Sequence, residues 1–260
     1  MPTEDGRVDG SYEKLSRDEL LRIASKLNWM HSIDLGDGFV TTGQWPPPNA
    51  EQQEALAKID FRGSKVLDIG CWDGRYSFEA ERLGASQVYA TDLLNQRPYS
   101  DQPTFLVAHA ARKSNVRYFP NLSVHDIETL GVRDFDVVLF SGVYYHLKDP
   151  LRALAMLRRV MKDGACLYVE GAVLNEPGCY AAFHYREPYC GDYSNWWIPT
   201  RTCLRQWIES SYFDVDKEYG PWGDHTADIW RTALLAKAVR GPDPLHRLVD
   251  ELLGEFSAPV

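Results

Sequence analysis

The chain has 260 residues, of which 44% are hydrophobic and 25% are charged, and this composition excludes fibrous and low-complexity classes in favour of a globular protein. Its formal net charge of −9 repels phosphate backbones at long range, which disfavours nucleic acid as a partner. Residues 1–19 are polar and no run of about 18 apolar residues occurs, so we expect no signal peptide, no membrane span and a cytoplasmic protein.

The first part of the chain predicts a helical extension. Residues 16–19, SRDE, form a capping box, and the apolar residues that follow at helical spacing predict a helix to about Trp29. Glycines and three successive prolines then indicate an irregular connection, which leads into a polar helix over 49–59. We therefore assign residues 1–61 to an N-terminal helical extension or lid.

From Lys65 onward, short apolar strands alternate with helices. The predicted strands read VLDIG, QVYATD, VRYF, FDVVLFSG and ACLYVEG, and the predicted helices cover 75–83, 104–113 and 150–161. Such alternation is typical of a parallel sheet with helices on both faces. The sequence therefore predicts an α/β domain with a doubly wound, mostly parallel sheet over 62–240.

The last third departs from this alternation. Residues 171–200 are rich in aromatic residues and turn formers, and they predict an inserted substrate segment. A helix over 202–210 precedes two strand-like runs, 212–220 and 228–239, which predict an antiparallel pair at the sheet edge. Residues 241–260 predict a C-terminal helix that docks on the body or forms a homodimer contact; its apolar stripe is Leu245, Leu248, Val249, Leu252 and Phe256.

The cysteines indicate reduced thiols. There are five, an odd number, and none forms a C-x-x-C pair. This pattern disfavours both a disulfide framework and a zinc site. We expect all five to be free: Cys71, Cys166, Cys179, Cys190 and Cys203.

Chemically distinctive residues follow each predicted strand. Ligands of an open parallel sheet bind outside the carboxyl ends of its strands, so these residues form the candidate site. Asp92 lies about 20 residues beyond Gly70, the offset at which an acidic side chain accepts both hydroxyls of a ribose. Asp126 suits the amino group of a purine, and Ile127 suits its face. The cofactor-binding candidates are Asp68, Gly70, Trp72, Gly74, Asp92, Leu93, Asp126, Ile127 and Ser141.

Two cofactors suit such a set, NAD and S-adenosylmethionine. A dinucleotide-binding turn reads G-x-G-x-x-G, so that a pyrophosphate can lie on a helix N-terminus. Here the spacing from Asp68 to Gly74 is D-x-G-x-x-x-G, and Asp73 places an anion near the position of the pyrophosphate. A sulfonium amino acid with an ammonium group tolerates these carboxylates. The sequence therefore favours S-adenosylmethionine.

Three stretches resemble a known family. They are VLDIGCWDGRYSFEAERLGASQVYATD, SGVYYHLKDPLRAL and NWWIPTRTCLRQWI, and the resemblance covers residues 29–238. The family comprises S-adenosylmethionine-dependent methyltransferases and is typified by the bacterial tRNA wobble-uridine carboxymethyltransferase. The resemblance implies a class I methyltransferase fold, which is Rossmann-like with an antiparallel edge. The W-D-G turn of the family implies that Trp72 walls the methionine end of the cofactor; packing under the N-terminal segment is the alternative.

The resemblance leaves the acceptor open. The tRNA enzyme holds a carboxylated cofactor with a lysine, a tyrosine and an arginine. Tyr145 and Arg231 fall on the tyrosine and arginine motifs, but residues 32–45 contain no lysine. Together with the net charge, this departure favours plain methyl transfer to a small molecule over carboxymethyl transfer to tRNA. Arg231 then binds an anionic substrate or pairs with a carboxylate.

The inserted segment suggests a specific small molecule. Its aromatic faces stabilise cations by about 0.5 to 2 kcal/mol each, and methylation of an alkene leaves a carbocation that a base must deprotonate. Glu170, after the apolar run ACLYV, should be desolvated and suits this base; hydrogen bonding to loop amides is the alternative. Some relatives C-methylate prenyl diphosphates in secondary metabolism, and this is our specific expectation. A magnesium ion is compatible with such a diphosphate.

The remaining candidates follow from these interpretations. The substrate-binding candidates are Tyr144, Tyr180, His184, Arg186, Trp196, Trp197, Arg201, Trp207 and Arg231. The catalytic candidates are Glu170, Tyr145 and His146. If the acceptor is a hydroxyl or an amine, His146 is the natural base; otherwise it orients Tyr145. The sequence also leaves open O- or N-methylation of a metabolite and a catalytically silent, cofactor-binding partner protein.

Overall fold

The computed structural model describes residues 11–93, 103–185, 193–223 and 229–240. The chain divides into two compact units: residues 1–53 and 60–123 form unit 1, and residues 54–59 and 124–260 form unit 2. The division predicted from sequence, at residues 61 and 240, stays a prediction. The predicted C-terminal helix lies outside the described residues. Among the helices that the structure describes, none is long and apolar enough to cross a membrane.

Unit 1 contains a parallel sheet. Its elements are α1 (Arg17–Ala24), the first half of α2 (Ala50–Ala57), β1 (Lys65–Ile69), α3 (Arg75–Arg82), β2 (Gln87–Thr91), α4 (Thr104–Arg112) and β3 (Arg117–Phe119). The strand order is β3-β2-β1, and both pairs are parallel. Ile69 pairs with Thr91, so the turn after β1 and Asp92 after β2 emerge at the same edge.

The predicted capping box starts α1. The Ser16 hydroxyl accepts from the Glu19 amide at 3.4 Å, and the Glu19 carboxylate accepts from the Ser16 amide at 2.8 Å. The helix ends at Ala24, earlier than the predicted Trp29. The buried Trp29 indole N–H donates to the Ala24 carbonyl at 2.8 Å, so this side chain caps the helix end instead of extending the helix.

The turn after β1 is packed against aromatic rings. Phe105 stacks on Tyr118 with ring centroids 3.8 Å apart, and Phe78 lies 5.1 Å from Phe105. A Cβ at Gly74 would lie 2.5 Å from the Phe78 ring and 2.7 Å from the Phe105 ring, and the φ of Gly74 is +88°. Both the close approach and the left-handed backbone therefore require glycine at this position.

Asp73 ties the N-terminal segment to this turn. The side chain is fully buried, and one oxygen accepts from the amides of Met30 and His31 at 2.7 and 2.8 Å. The other oxygen accepts from the Thr104 hydroxyl at 2.6 Å, at the start of α4. Arg17 adds a further tie, since it donates to the carbonyls of Ala111 and Gly36. One carboxylate thus holds three segments of unit 1 together.

Unit 2 contains the remaining strands. Its main elements are β4 (Phe135–Ser141), α5 (Pro150–Val160), β5 (Met161–Leu174), β6 (Ala181–Phe183), β7 (Trp197–Pro199), α6 (Arg201–Ser210), β8 (Phe213–Trp222) and β9 (Ile229–Ala238), with 3₁₀ helices at Val124–Leu130 and Tyr144–His146. The order is β4-β5-β9-β8; β4 and β5 are parallel, whereas β9 is antiparallel to both of its neighbours. The predicted antiparallel edge is confirmed.

The inserted segment is shorter than predicted and contains its own sheet. Strand β5 continues to Leu174 because Gly171 through Leu174 pair with Thr232 through Ile229 of β9. Strands β6 and β7 then form an antiparallel pair in which Phe183 lies opposite Trp197. The Thr200 amide donates to the Tyr180 carbonyl at 2.9 Å and so closes the end of this pair where α6 begins.

Replacing Asp73 with Asn tests the tie in unit 1. Asp73→Asn should lower the free energy of unfolding by about 2–3 kcal/mol, because an amide accepts through one atom only and leaves a buried donor without its charged partner. Urea denaturation measures this change. Asp60→Asn is the matched control, since Asp60 is an exposed carboxylate of the same unit paired with Arg62. Equal effects of the two substitutions would contradict the assigned role.

Candidate functional site

Asp68 is a buried acid at the end of β1. Its side chain is 2% exposed, and one oxygen accepts from the Ser77 hydroxyl of α3 at 2.6 Å. Burial raises the pKa of Asp68 to about 7; the Ser77 hydrogen bond opposes this rise, and the negative charge of Asp92 adds to it. A cationic group bound beside Asp68 would stabilise the ionised carboxylate, which burial and the Asp92 charge disfavour.

Asp92 holds the turn after β1 from the end of β2. One oxygen accepts from the Trp72 amide at 2.7 Å, and the other accepts from the Leu93 amide at 2.6 Å. Trp72 adopts a φ of 49°, which costs a bulky residue of order 1–3 kcal/mol. The Asp92 contact stabilises this backbone. A carboxylate oxygen accepts more than one hydrogen bond, so these amides are compatible with a ligand hydroxyl on the same carboxylate.

The two acids and the turn define what unit 1 can bind. Buried carboxylates call for cationic or hydroxyl partners. Gly70, with φ 71°, lacks a side chain, which allows a ligand to approach the backbone of the turn. The adenosine hydroxyls and the ammonium group of S-adenosylmethionine supply the chemistry that these residues require. The residues of the turn therefore fit this cofactor.

Asp73 differs from the sequence-based expectation. We expected its anion to lie near a bound pyrophosphate, whereas its carboxylate is fully buried and accepts from Met30, His31 and Thr104. Its charge therefore belongs to the internal hydrogen bonding of unit 1. The remaining argument against a dinucleotide is the spacing of the glycines.

An ion pair lies at the centre of unit 2. Arg231 donates through Nε to one Glu170 oxygen at 2.8 Å and through Nη2 to the other at 3.0 Å. Arg231 Nη1 also donates to the Tyr145 hydroxyl at 3.3 Å, and the Ser141 hydroxyl donates to Glu170 at 2.8 Å. Burial lowers the pKa of Arg231, but the Glu170 charge, followed by that of Tyr145, outweighs it and leaves this pKa well above its ordinary value.

Antiparallel pairing of β5 with β9 brings these residues together. Arg231 lies opposite Ala172, and Glu170 is two residues from Ala172 on the same face of β5. The sequence predicts an apolar environment for Glu170. Instead, Glu170 is 2% exposed and both of its oxygens are paired with a guanidinium. Such a bidentate pair favours a positioning role over that of a general base.

The 3₁₀ helix at Tyr144–His146 places three candidates next to this pair. The Tyr144 hydroxyl donates to the Ala172 carbonyl at 2.6 Å, and its ring occupies the space that a Cβ at Gly171 would need. The Tyr145 and His146 rings lie 4.4 Å apart. His146 Nδ1 lies 2.9 Å from the Ser194 hydroxyl, and the tautomer of His146 sets which of the two donates.

The aromatic candidates form a surface on β6 and β7. The Phe183 ring lies 4.7 Å from that of Trp197 and 6.2 Å from that of Trp196, and Lys148 Nζ lies 4.6 Å above the Trp196 ring. The Trp196 amide donates to the Tyr145 carbonyl at 2.7 Å, which connects this surface to the 3₁₀ helix. Tyr180, Phe183, Tyr185 and Tyr193 are exposed. Unit 2 thus presents aromatic faces beside Tyr145.

The remaining candidates are dispersed. Asp126 is exposed and Ile127 is buried in the 3₁₀ helix at Val124–Leu130 of unit 2. Arg201 pairs with Glu218 at 2.5 Å and lines a cavity of about 440 Å³. His184 and Trp207 are half-buried in unit 2, and Arg186 lies outside the described residues.

Three side chains that contact candidate residues were not predicted from the sequence. Ser77 binds Asp68, Ser194 binds His146, and Lys148 lies over Trp196. Ser77 is the third residue of the helix that follows the glycine turn, and this position could have predicted its contact with Asp68. Ser194 and Lys148 depend on the fold of the inserted segment and carry no such signal.

No metal centre supports the magnesium expectation. Among the residues that the structure describes, no group of three or more His, Cys, Asp and Glu side chains is arranged to hold a metal ion.

Part of the chain is similar to a known family. Residues 67–169 match the family model described as Methyltransferase domain. The tRNA U34 carboxymethyltransferase of Dichelobacter nodosus is 26% identical over 176 residues, which cover 66% of this chain and 53% of the relative. That of Campylobacter hominis is 30% identical over 158 residues, which cover 60% of this chain and 52% of the relative. The chain thus spans about half the length of these relatives.

Solved structures show the same fold. The N-terminal domain of EvdMO1 with SAH bound has a TM-score of 0.63 at 17% identity, over 88% of this chain and 100% of that one. A putative S-adenosylmethionine dependent methyltransferase from Listeria monocytogenes has a TM-score of 0.54 at 18% identity, over 72% of this chain and 97% of that one. The chain shares the class I fold of these structures, and both the predicted fold and the predicted resemblance are confirmed.

Asp68→Asn should separate stability from ligand binding. Between its ordinary pKa of 3.8 and its raised pKa of about 7, folding retains a proton that the unfolded chain has lost. Wild-type stability should therefore fall with rising pH across this window, by up to about 1.4 kcal/mol per pH unit. The Asn variant still accepts from Ser77 but lacks this slope, so its stability relative to the wild type should increase from pH 5 to pH 8. It should also bind S-adenosylmethionine more weakly.

Urea denaturation at several pH values and calorimetry measure the two effects. Asp60→Asn should keep the wild-type slope above pH 5, because hydrogen bonds from Arg62 lower the pKa of Asp60. Parallel pH profiles for Asp68→Asn and the wild type would contradict the raised pKa.

A double-mutant cycle tests the Glu170–Arg231 pair. Glu170→Gln alone and Arg231→Gln alone should each lower stability, by about 3 kcal/mol, because each leaves a buried charge without its partner. The double variant should recover part of this loss. The Arg201–Glu218 pair, in which Arg201 is 40% exposed, is the matched control and should show a smaller coupling. If Glu170→Gln instead removes turnover without changing stability, Glu170 acts as a base.

Proposed function

We propose that the protein is an S-adenosylmethionine-dependent methyltransferase. The observation that carries this proposal is the pair of buried acids, Asp68 and Asp92, at the glycine turn of a methyltransferase domain. The cofactor carries an ammonium group, a sulfonium group and two ribose hydroxyls, which suit these acids. When bound, it supplies an electrophilic carbon for in-line displacement, for which alignment and exclusion of water provide most of the catalysis.

The roles of the chain's own residues follow from their contacts. We assign Asp92 to the ribose hydroxyls, because two amides fix its oxygens at the end of β2. We assign Asp68 to the cationic end of the cofactor, because its burial favours a cation nearby. In unit 2, Tyr145 and His146 border the acceptor, and His146 is the base for a proton that leaves the acceptor. Asp126 and Ile127 keep their predicted adenine contacts as part of this proposal.

The first acceptor that we propose is the wobble uridine of tRNA. The relatives named tRNA U34 carboxymethyltransferase support it, as does the contact of Tyr145 with Arg231, the two residues that the resemblance links to a carboxylated cofactor. This reverses our sequence-based preference for a small molecule. Exposed aromatic residues near Tyr145 also suit a nucleobase, since base stacking on an aromatic ring contributes about 1–3 kcal/mol.

Methylation of a small metabolite is the second candidate. Glu170 occupies two of the three Arg231 nitrogens, which reduces the capacity of Arg231 to hold a carboxylated cofactor. The net charge of −9 also opposes tRNA binding. Within the described residues, nothing supports C-methylation of a prenyl diphosphate in particular: Arg201 is paired with Glu218, and Glu170 is paired with Arg231.

A labelling experiment tests the function and the acceptor together. The protein is incubated with labelled S-adenosylmethionine and, in a parallel reaction, with the labelled carboxylated cofactor. Each reaction contains either unmodified tRNA or a pool of small metabolites. We expect label in tRNA. Asp92→Asn should reduce labelling of any pool and weaken cofactor binding about 10- to 100-fold, through loss of a charge-assisted hydrogen bond. Asp60→Asn should match the wild type.

Each outcome of this experiment is decisive for one part of the proposal. Label in metabolites alone would replace the tRNA proposal with the second candidate. Tight binding of NAD, or unchanged S-adenosylmethionine affinity in Asp92→Asn, would contradict the cofactor assignment.

A further inference from the structure

Two cysteines of unit 2, Cys179 and Cys203, lie near the beginning of α6. The exposed Cys179 thiol donates to Gln206 Oε1 at 2.9 Å. Gln206 lies three residues after the buried Cys203 on α6, and residues three apart are neighbours on one helix face. Cys179 therefore lies against the helix face that carries Cys203.

The backbone on both sides is held by Thr200. Its hydroxyl donates to the Gly178 carbonyl at 2.8 Å and accepts from the Cys203 amide at 3.2 Å. Its own amide donates to the Tyr180 carbonyl at 2.9 Å. Thr200 thus forms hydrogen bonds with both neighbours of Cys179 and with the amide of Cys203. This arrangement keeps the two cysteines in register.

The chemistry of Cys203 agrees with this arrangement. Burial raises the pKa of the Cys203 thiol to about 11, and the adjacent Cys179 thiol adds to the rise through both charge and a hydrogen bond. Cys166 is a useful comparison, because its pKa is also raised to about 11, but by burial and the charge of Asp216 rather than by another thiol. Cys179 is accessible and Cys203 is not, so their reactions with an external reagent should occur in a fixed order.

We propose that Cys179 and Cys203 form a dithiol site that small disulfides oxidise to an intramolecular disulfide. The Cys179 thiolate attacks one sulfur of the small disulfide, which forms a mixed disulfide and releases one thiolate. The Cys203 thiolate then attacks the Cys179 sulfur, and the second small thiolate leaves. The protein loses two electrons and two protons, and the small disulfide is reduced to two thiols.

The bridge would join two walls of one cavity. Asn175, Glu176 and Pro177, shortly before Cys179, line one part of the cavity of about 440 Å³, and Arg201, Thr202 and Arg205 of α6 line another. A covalent link would restrict movement of the first wall relative to α6. It would also lower the conformational entropy of the unfolded chain and so stabilise the protein. In the structure Cys71, Cys166, Cys179 and Cys203 are free, as the sequence predicts, and Cys190 lies outside the described residues. The proposed oxidation does not rest on the proposed function.

Oxidised glutathione is the probe that tests this site. After incubation and before alkylation, the wild type should be lighter by two hydrogens; after alkylation of the remaining thiols, peptide mapping should find Cys179 linked to Cys203. Closure should accelerate about tenfold per pH unit from pH 7 to 10, as Cys203 ionises. The oxidised protein should unfold at a higher urea concentration than the reduced protein.

Two variants separate the steps. Cys203→Ser should retain one glutathionyl group on Cys179, because the resolving thiol is absent. Cys179→Ser should leave Cys203 unmodified. Circular dichroism reports whether each variant is folded, and the mapping of the wild type stands without them. A stable mixed disulfide in the wild type at pH 9, or a bridge from Cys179 to Cys166 or Cys190, would overturn the proposal.

Discussion

Burial of three aspartates around one turn is the constraint on which unit 1 depends. Asp68, Asp73 and Asp92 are each at most 4% exposed, within 25 residues of sequence. A buried carboxylate is costly unless hydrogen-bond donors or cations surround it. Asp73 is satisfied by two amides and a hydroxyl, and Asp92 by two amides. Asp68 is held by Ser77 and has a raised pKa, which makes it the acid with most to gain from a cationic ligand.

This distribution explains why the turn contains a tryptophan. The turn is fixed from within, because Asp92 holds the Trp72 amide and Gly74 packs under two aromatic rings. A strained φ at Trp72 is tolerated because these contacts over-determine the backbone. The indole is thereby presented at a position where most such turns have no side chain, which is compatible with its proposed role as a wall of the cofactor site.

In unit 2, the Glu170–Arg231 pair limits the chemistry. A guanidinium next to the reacting group would attract an anionic cofactor or substrate, but Glu170 neutralises most of that charge. The third Arg231 nitrogen, Nη1, donates to the Tyr145 hydroxyl at 3.3 Å. Function lies in the residues placed on the fold.

The sequence by itself determined the elements and half of the site. Capping at Ser16, the glycine turn and the alternation of strands and helices are local signals, and they predicted β1 to β4 and α3 to α6 closely, whereas α1 is shorter and β5 is longer than predicted. The rule that ligands bind at strand ends selected Asp68 and Asp92, and both prove to be buried acids at adjacent strand ends.

Only the tertiary structure decided how these side chains are partnered. Glu170 and Arg231 are 61 residues apart and meet because β9 returns antiparallel to β5. Asp73 binds amides 42 and 43 residues earlier in the chain. Such pairings depend on the register between distant segments, which no local pattern encodes. A residue's type shows which chemistry it can perform, but its partners determine whether a carboxylate is a base, a counter-ion or a tie between segments.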